Sequence, residues 1–207
     1  MATLKNPQVI IVDCADIAQV HTIENAYKSK AKLTIISPAC LQEFCANISS
    51  VMDNDREVII YFYGFCDVSD GSRYFLRVGD DWISAYDLTG VVNDYRGEGF
   101  STIMFVMAGW KPCQKPVRYG KKLERSVIFL TTPVEDYNRN FPVDLKTADF
   151  IPRITEIIIK AVKNVKVQQS IIDVCCEINR AIDNTTGFAG GVVILPGLRE
   201  AVFIKSI

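Results

Sequence analysis

Seven cysteines (14, 40, 45, 66, 113, 175 and 176) and a single histidine, His21, bound the chemistry open to this chain. A cysteine nucleophile works as the thiolate, which needs a base within hydrogen-bond reach or a cation or helix terminus that lowers its pKa. With one histidine and no CxxC pair, a Cys/His zinc site is not expected. An odd number of irregularly spaced cysteines suits a reducing compartment, where most act as small buried hydrophobes. Asp13 and Asp16 flank the end of an apolar run and could hold a divalent cation. Such a pair is more often a helix cap and a solvated loop residue. The turn after Val12 has no glycine to let a phosphate approach the backbone. Gly187-Phe188-Ala189-Gly190-Gly191 follows a helix, the wrong side for a phosphate loop. No cofactor is expected.

The elements that position these residues alternate between strand-like and helix-like. Val9–Val12, Lys32–Ile36 and Glu57–Tyr63 read as strands, the last apolar on both faces, as in the buried centre of a parallel sheet. Between them, Asp16 is a candidate cap for a helix carrying Ile17, Val20, Ile23 and Tyr27. Ser37-Pro38 opens a second helix with Leu41, Phe44, Cys45 and Ile48 on one face. Tyr74–Val78, bracketed by Asp70-Gly71 and Gly79-Asp80, is a short strand of hairpin type. Ser84 starts a helix through Val92, with Asp87 as a capping-box partner. Thr102–Met107 and Val127–Thr131 are further strands. Two amphipathic helices follow, one with Phe150, Ile154, Ile157, Ile158, Ala161 and Val165, the other with Ile171, Val174, Cys175, Ile178 and Ile182. Gly190-Gly191 marks a turn, and Val192–Leu195 and Ala201–Ile207 are two terminal strand candidates. This is an α/β pattern.

At 207 residues, 49% apolar and 23% charged, the chain has room for one α/β domain with a sizeable core. A net charge of −1 gives no bulk attraction to nucleic acid or acidic membrane. No apolar run approaches the roughly 18–20 residues of a membrane span. Residues 1–8 lack the apolar stretch of a signal peptide, so the expected location is cytoplasmic. Residues 111–126 are the one composition shift: Lys111, Lys115, Arg118, Lys121, Lys122 and Arg125 against Glu124 alone. They form either a basic patch for an acidic partner or a solvated loop, and charge blocks are commonly the latter.

The order of motifs over residues 9–207 resembles the caspase family, within the larger group of caspases, paracaspases and metacaspases. Tyr61-Phe62-Tyr63-Gly64-Phe65-Cys66 is similar to the family's histidine strand, Y-F-S-G-H-G, with Phe65 in the histidine's place. Tyr74-Phe75-Leu76, Tyr86-Asp87-Leu88-Thr89 and Asp94-Tyr95-Arg96-Gly97-Glu98 resemble the hairpin and the helix that follow. Thr102-Ile103-Met104-Phe105-Val106-Met107-Ala108-Gly109 is similar to the nucleophile strand, K-L-F-I-I-Q-A-C, with Gly109 where the cysteine stands. Val127–Pro133 and Tyr137-Asn138-Arg139-Asn140 resemble the opening of the small subunit.

The resemblance implies a single caspase-like domain spanning 1–207. It comprises a large-subunit-like half (1–110), a basic linker (111–126) and a small-subunit-like half (127–207). The fold it implies is three-layered, with a mostly parallel six-stranded sheet and helices on both faces. It also implies a pseudoprotease whose degenerate catalytic positions are Phe65 and Gly109, with Arg139 as a remnant of the substrate pocket. The arginine that would complete that pocket has no counterpart after Val9–Val12. No aspartate lies between Tyr95 and Glu135, so activating cleavage after aspartate is not expected in the linker.

The expected role is protein binding, as a scaffold or regulator in apoptosis or signalling. The expected partners are a second copy or a caspase-like protein, joined through the terminal strand at Val202, Phe203 and Ile204, with no nucleic acid and no membrane span. The alternative is an active cysteine peptidase with a displaced dyad using Cys66 or Cys113, both near strand ends where α/β sheets bind ligands. His21 would have to supply the base from the first helix.

Overall fold

The computed structural model describes residues 7–16, 18–27, 31–67, 74–96, 101–110, 113–118, 126–133, 155–161, 169–183, 190–195 and 202–203. The β-branched runs form parallel strands β1 (Gln8–Asp13), β2 (Lys32–Ile36) and β3 (Val58–Asp67). They are separated by helices α1 (Val20–Tyr27) and α2 (Leu41–Val51). A hairpin of β4 (Phe75–Val78) and β5 (Asp81–Ser84) precedes α3 (Ala85–Arg96). Strands β6 (Ser101–Trp110) and β7 (Ser126–Pro133) follow. Next come helix α4 (155–161), β8 (Gln169–Ser170), α5 (Ile171–Asp183), β9 (Gly190–Leu195) and β10 (Val202–Phe203).

The sheet corrects the expectation of six mostly parallel strands. Among the described residues it is mixed and eight-stranded, running β2-β1-β3-β6-β7-β9 with the β4–β5 hairpin joined to β3. β2, β1, β3, β6 and β7 are parallel, whereas β4, β5 and β9 pair antiparallel to their neighbours. The physical reason lies in the connections. Gly79-Asp80 is a tight turn that returns β5 directly beside β4, and only antiparallel strands can be joined so closely. Gly190 and Gly191 open β9 against Pro133 and Thr132 rather than forming a turn. β10 pairs with β8 in a separate two-stranded sheet, apart from the main one.

Alternation along the central strands divides the core into two layers. Val9, Ile11, Ile59, Tyr61, Tyr63, Met104 and Val106 pack beneath Ile23 and Tyr27 of α1, Ile158 and Ile159 of α4 and Ile178 of α5. Ile10, Val12, Ile60, Phe62, Cys66, Ile103 and Phe105 pack beneath Phe44 and Ile48 of α2 and Leu88 and Val91 of α3. Helices therefore cover both faces, as the apolar-on-both-sides strands require.

Local capping differs in detail from the sequence reading. Asp16 does not cap α1. It has φ 56, while the Asp13 carboxylate accepts the amides of Ala15 and Ala18 at 3.2 and 3.1 Å. α2 begins after Ser37-Pro38: Cys40 Sγ accepts from the Glu43 amide, and Asp81 Oδ2 accepts from Leu41 N at 2.7 Å. Ser84 and Asp87 form the expected box, with Ser84 Oγ donating to Asp87 Oδ2 and accepting from Asp87 N. Arg96, nearly buried at the end of α3, donates to the carbonyls of Asp53 and Arg56 and so holds the loop that feeds β3.

Candidate functional site

β3 and β6 carry the two positions singled out in the sequence, and their register decides whether those positions meet. From Val58↔Ser101 to Gly64↔Met107 the pairing is continuous. It then shifts between Gly64 and Phe65, so that Phe65 pairs with Gly109 and Cys66 with Trp110. Ala108 is the extra residue of a bulge in β6. Phe65 and Gly109 are therefore neighbours on adjacent strands, about 4.8 Å apart at the backbone as strand spacing dictates. Both lie near the carboxyl ends of parallel strands, where open α/β sheets bind their ligands. Neither residue type brings a proton acceptor or a nucleophile to that spot.

Gly64 sits just before the bulge and is packed from three sides. A Cβ there would meet Phe62 Cε1 at 3.1 Å, Arg77 O at 3.2 Å and Phe105 Cζ at 3.2 Å. The glycine lets β4 and the Phe62–Phe105 stack, with centroids 5.0 Å apart, close on the strand end. This contact was not legible in the sequence, although a glycine inside an aromatic strand was its signal.

The two candidate replacement thiols lie beside the same aspartate. Cys66 is fully buried in the α2/α3 layer, and its Sγ donates to Asp67 O at 3.8 Å. Burial, and then the Asp67 charge, push its thiol pKa far up. Cys113 is half-buried and its amide donates to Asp67 Oδ2. Its thiol is pushed up by burial and then by Asp67. Both surroundings oppose the thiolate. His21, the chain's one histidine, projects from α1 with its side chain 96% exposed and its Nδ1 3.3 Å from Glu24 Oε2. α1 packs on the sheet layer opposite that of Cys66.

At the neighbouring strand end, Asp13 has an amide on each carboxylate oxygen. Among the described residues no group of three or more His, Cys, Asp or Glu side chains is placed to hold a metal ion. Among the same residues, no helix is long and apolar enough to cross a membrane. Arg139 and Ile204 lie outside the described residues. Val202 and Phe203 pair antiparallel with Ser170 and Gln169 of their own chain. The linker is described from Cys113 to Arg118, where Lys115 and Arg118 are exposed. Val117 makes a bridge to Ile83 of β5 that loop composition did not announce.

No family model matches the sequence, and no curated protein is similar to it. Solved structures are similar in fold. Superposition on the structure described as pro-sf-caspase-1 gives a TM-score of 0.56 at 9% identity, covering 98% of this chain and 94% of that one. The crystal structure of Caspase-1 from Spodoptera frugiperda gives 0.55 at 9% identity, covering 94% of this chain and 87% of that one. The chain has a caspase-like α/β fold.

Proposed function

We propose that the chain is a non-catalytic caspase-like pseudoprotease that works by binding, as a scaffold or regulator of other proteins, with an active caspase relative as the partner class. The observation that carries this reading is the pairing of Phe65 with Gly109. The two positions that match the family's histidine and cysteine by motif are cross-strand neighbours, and they hold a phenyl ring and a bare backbone. General-base assistance and nucleophilic attack both need side chains that these residues lack. The raised thiol pKa values of Cys66 and Cys113 count against a displaced dyad, as does the solvent-facing position of His21.

The test is a fluorogenic peptide assay on purified protein with acidic, basic and neutral substrates, alongside Cys66→Ser and Cys113→Ser. The expected result is no turnover above buffer. Turnover that disappears in either serine variant overturns the reading in favour of an active peptidase.

Binding would use dimerisation, as a homodimer or a heterodimer with a caspase-like chain, through the strand at Val202, Phe203 and Ile204. Pairing with β8 uses one edge of β10, and the dimer would use the other. Light scattering coupled to gel filtration gives a dimer mass at micromolar concentration if this is right. A monomer mass removes the interface from the proposal.

A further inference from the structure

The β4–β5 hairpin carries a contact that the pseudoprotease reading does not use. β5 pairs with β4 along one side, from Asp81↔Val78 to Ser84↔Phe75. On its other side Val117 forms an isolated parallel bridge with Ile83, and its amide donates to Trp82 O at 2.6 Å. A second hold lies four residues earlier, where the Cys113 amide donates to the Asp67 carboxylate. The path between these holds is defined by the sheet. At Cys66, β3 has Trp110 of β6 on one edge and Leu76 of β4 on the other. Residues 113–118 therefore run from the end of β3, at Asp67, to the far side of the hairpin.

The chemistry of the contact is that of strand addition. Trp82 and Ile83 are themselves buried, so β5 offers backbone groups rather than an apolar pocket, and Val117 stays 37% exposed. Recognition of this kind draws its affinity from main-chain hydrogen bonds and its selectivity from the side chains around them. The segment seated there is basic and centred on an aliphatic residue, Lys115-Pro116-Val117-Arg118. It is also held under strain. Lys115 has φ 47, the left-handed region that L residues adopt only at a cost.

We propose that the outer edge of β5 is a strand-acceptor site for an extended basic segment centred on an aliphatic residue. The chain's own Lys115–Arg118 occupies it, and a partner protein's segment of the same pattern can replace it. The intramolecular segment competes at an effective concentration on the order of millimolar, so a partner binds only as far as it displaces that segment. The left-handed Lys115 weakens the internal competitor. A foreign segment that needs no such kink gains by that difference. This inference goes beyond the pseudoprotease reading and does not depend on it, since its readout is binding rather than turnover.

The test uses the full chain and a fluorescein-labelled peptide with the sequence of residues 114–120, read by fluorescence anisotropy. Val117→Pro removes the amide that bonds to Trp82 O, and Lys115→Gly relieves the left-handed strain. The peptide should bind Val117→Pro at least tenfold more tightly than the wild type, and Lys115→Gly more weakly than the wild type. A peptide with proline at the Val117 position should bind none of the three chains. Equal affinity across the three chains, or shifts of the same sign in both variants, overturns the proposal. A second measurement needs no variant. Amide hydrogen exchange at Val117 in the wild-type chain should speed up when the peptide is saturating. Protection that persists with the peptide bound places the peptide elsewhere and sinks the assignment.

Discussion

Replacing Gly79 with alanine tests how the hairpin is held against α2. Gly79 has φ 59, and a Cβ built there lies 2.1 Å from both C and O of Ala39 and 2.6 Å from Cys40 N. The left-handed conformation alone costs a non-glycine residue about 1–2 kcal/mol. The overlap is with backbone, so no side-chain rotation relieves it. The hairpin must move away from the start of α2. Two hydrogen bonds span that gap: Asp80 N to Ala39 O at 2.8 Å, and Leu41 N to Asp81 Oδ2 at 2.7 Å. Losing a neutral bond costs about 1 kcal/mol and losing one to a charged group about 1.5–3 kcal/mol. Together the terms give roughly 3–6 kcal/mol, a large part of the roughly 5–15 kcal/mol that keeps a domain folded. Urea unfolding followed by circular dichroism measures it. Gly79→Asn should do no better, because asparagine tolerates the left-handed region but carries the same Cβ. A Gly79→Ala loss below about 1 kcal/mol would refute the overlap, and rescue by asparagine would show that φ rather than contact is decisive.

Three further outcomes are expected. Phe65→His combined with Gly109→Cys should not restore efficient cleavage after aspartate in a fluorogenic assay, because a preorganised oxyanion site and a complete pocket are also required. Efficient cleavage would show that both survive. Burial pushes Tyr27 and Tyr63 up to about 12 and Cys14 to about 11, so the folded state holds these protons more tightly than the unfolded chain does. Their contribution to stability is therefore whole below the unfolded values of about 9–10 and is lost as pH rises toward 12, so the urea midpoint should fall steadily above about pH 10. A midpoint unchanged from pH 9 to about 11 refutes this. Iodoacetamide at neutral pH, read by mass spectrometry of peptides, should label exposed Cys176 first and leave buried Cys66 unmodified until the chain unfolds. Early labelling of Cys66 would mean that the strand end opens.

The strands that were legible are those whose apolar runs are dictated by burial on both faces. β1 extends the run Val9–Val12 by one residue at each end, β2 coincides with Lys32–Ile36, and the first six residues of β3 fall within Glu57–Tyr63. β3 continues four residues beyond Tyr63, through Gly64, Phe65, Cys66 and Asp67, because β6 and β4 pair with that extension. Pairing partners distant in sequence leave no period in the local text. β5 was missed for a similar reason. The sequence reading gives Asp81-Trp82-Ile83 no element and starts a helix at Ser84, so that only the Gly79-Asp80 turn signals a returning strand. Ahead of α1 the sequence offers Asp16 as the cap, but it is Asp13, at the end of β1, whose carboxylate takes the amides of Ala15 and Ala18 in the loop before the helix. The motif positions 65 and 109 could be counted from sequence, but their contact could not.

That contact depends on one extra residue. Had β6 continued in register past Met107, Phe65 would have paired with Ala108, and Gly109 with Cys66. Cys66 lies in the α2/α3 layer, on the face opposite Tyr63. A one-residue slip in a strand sends every following side chain to the other face of the sheet. The bulge at Ala108 therefore brings position 109 level with position 65 and turns the two toward the same side. A bulge leaves one residue out of the ladder, with a local loss of hydrogen bonding. The core below does not call for it, since seven successive pairs from Val58 to Gly64 are regular and closely packed. The irregularity belongs to the strand ends, where bulges characteristically re-aim side chains next to a site. Under the pseudoprotease reading, this chain keeps the backbone arrangement that would bring a base and a nucleophile together. At this spot the side chains a dyad needs are absent from both paired positions, while Phe62, Phe105 and the Arg77 carbonyl pack closely around the neighbouring Gly64.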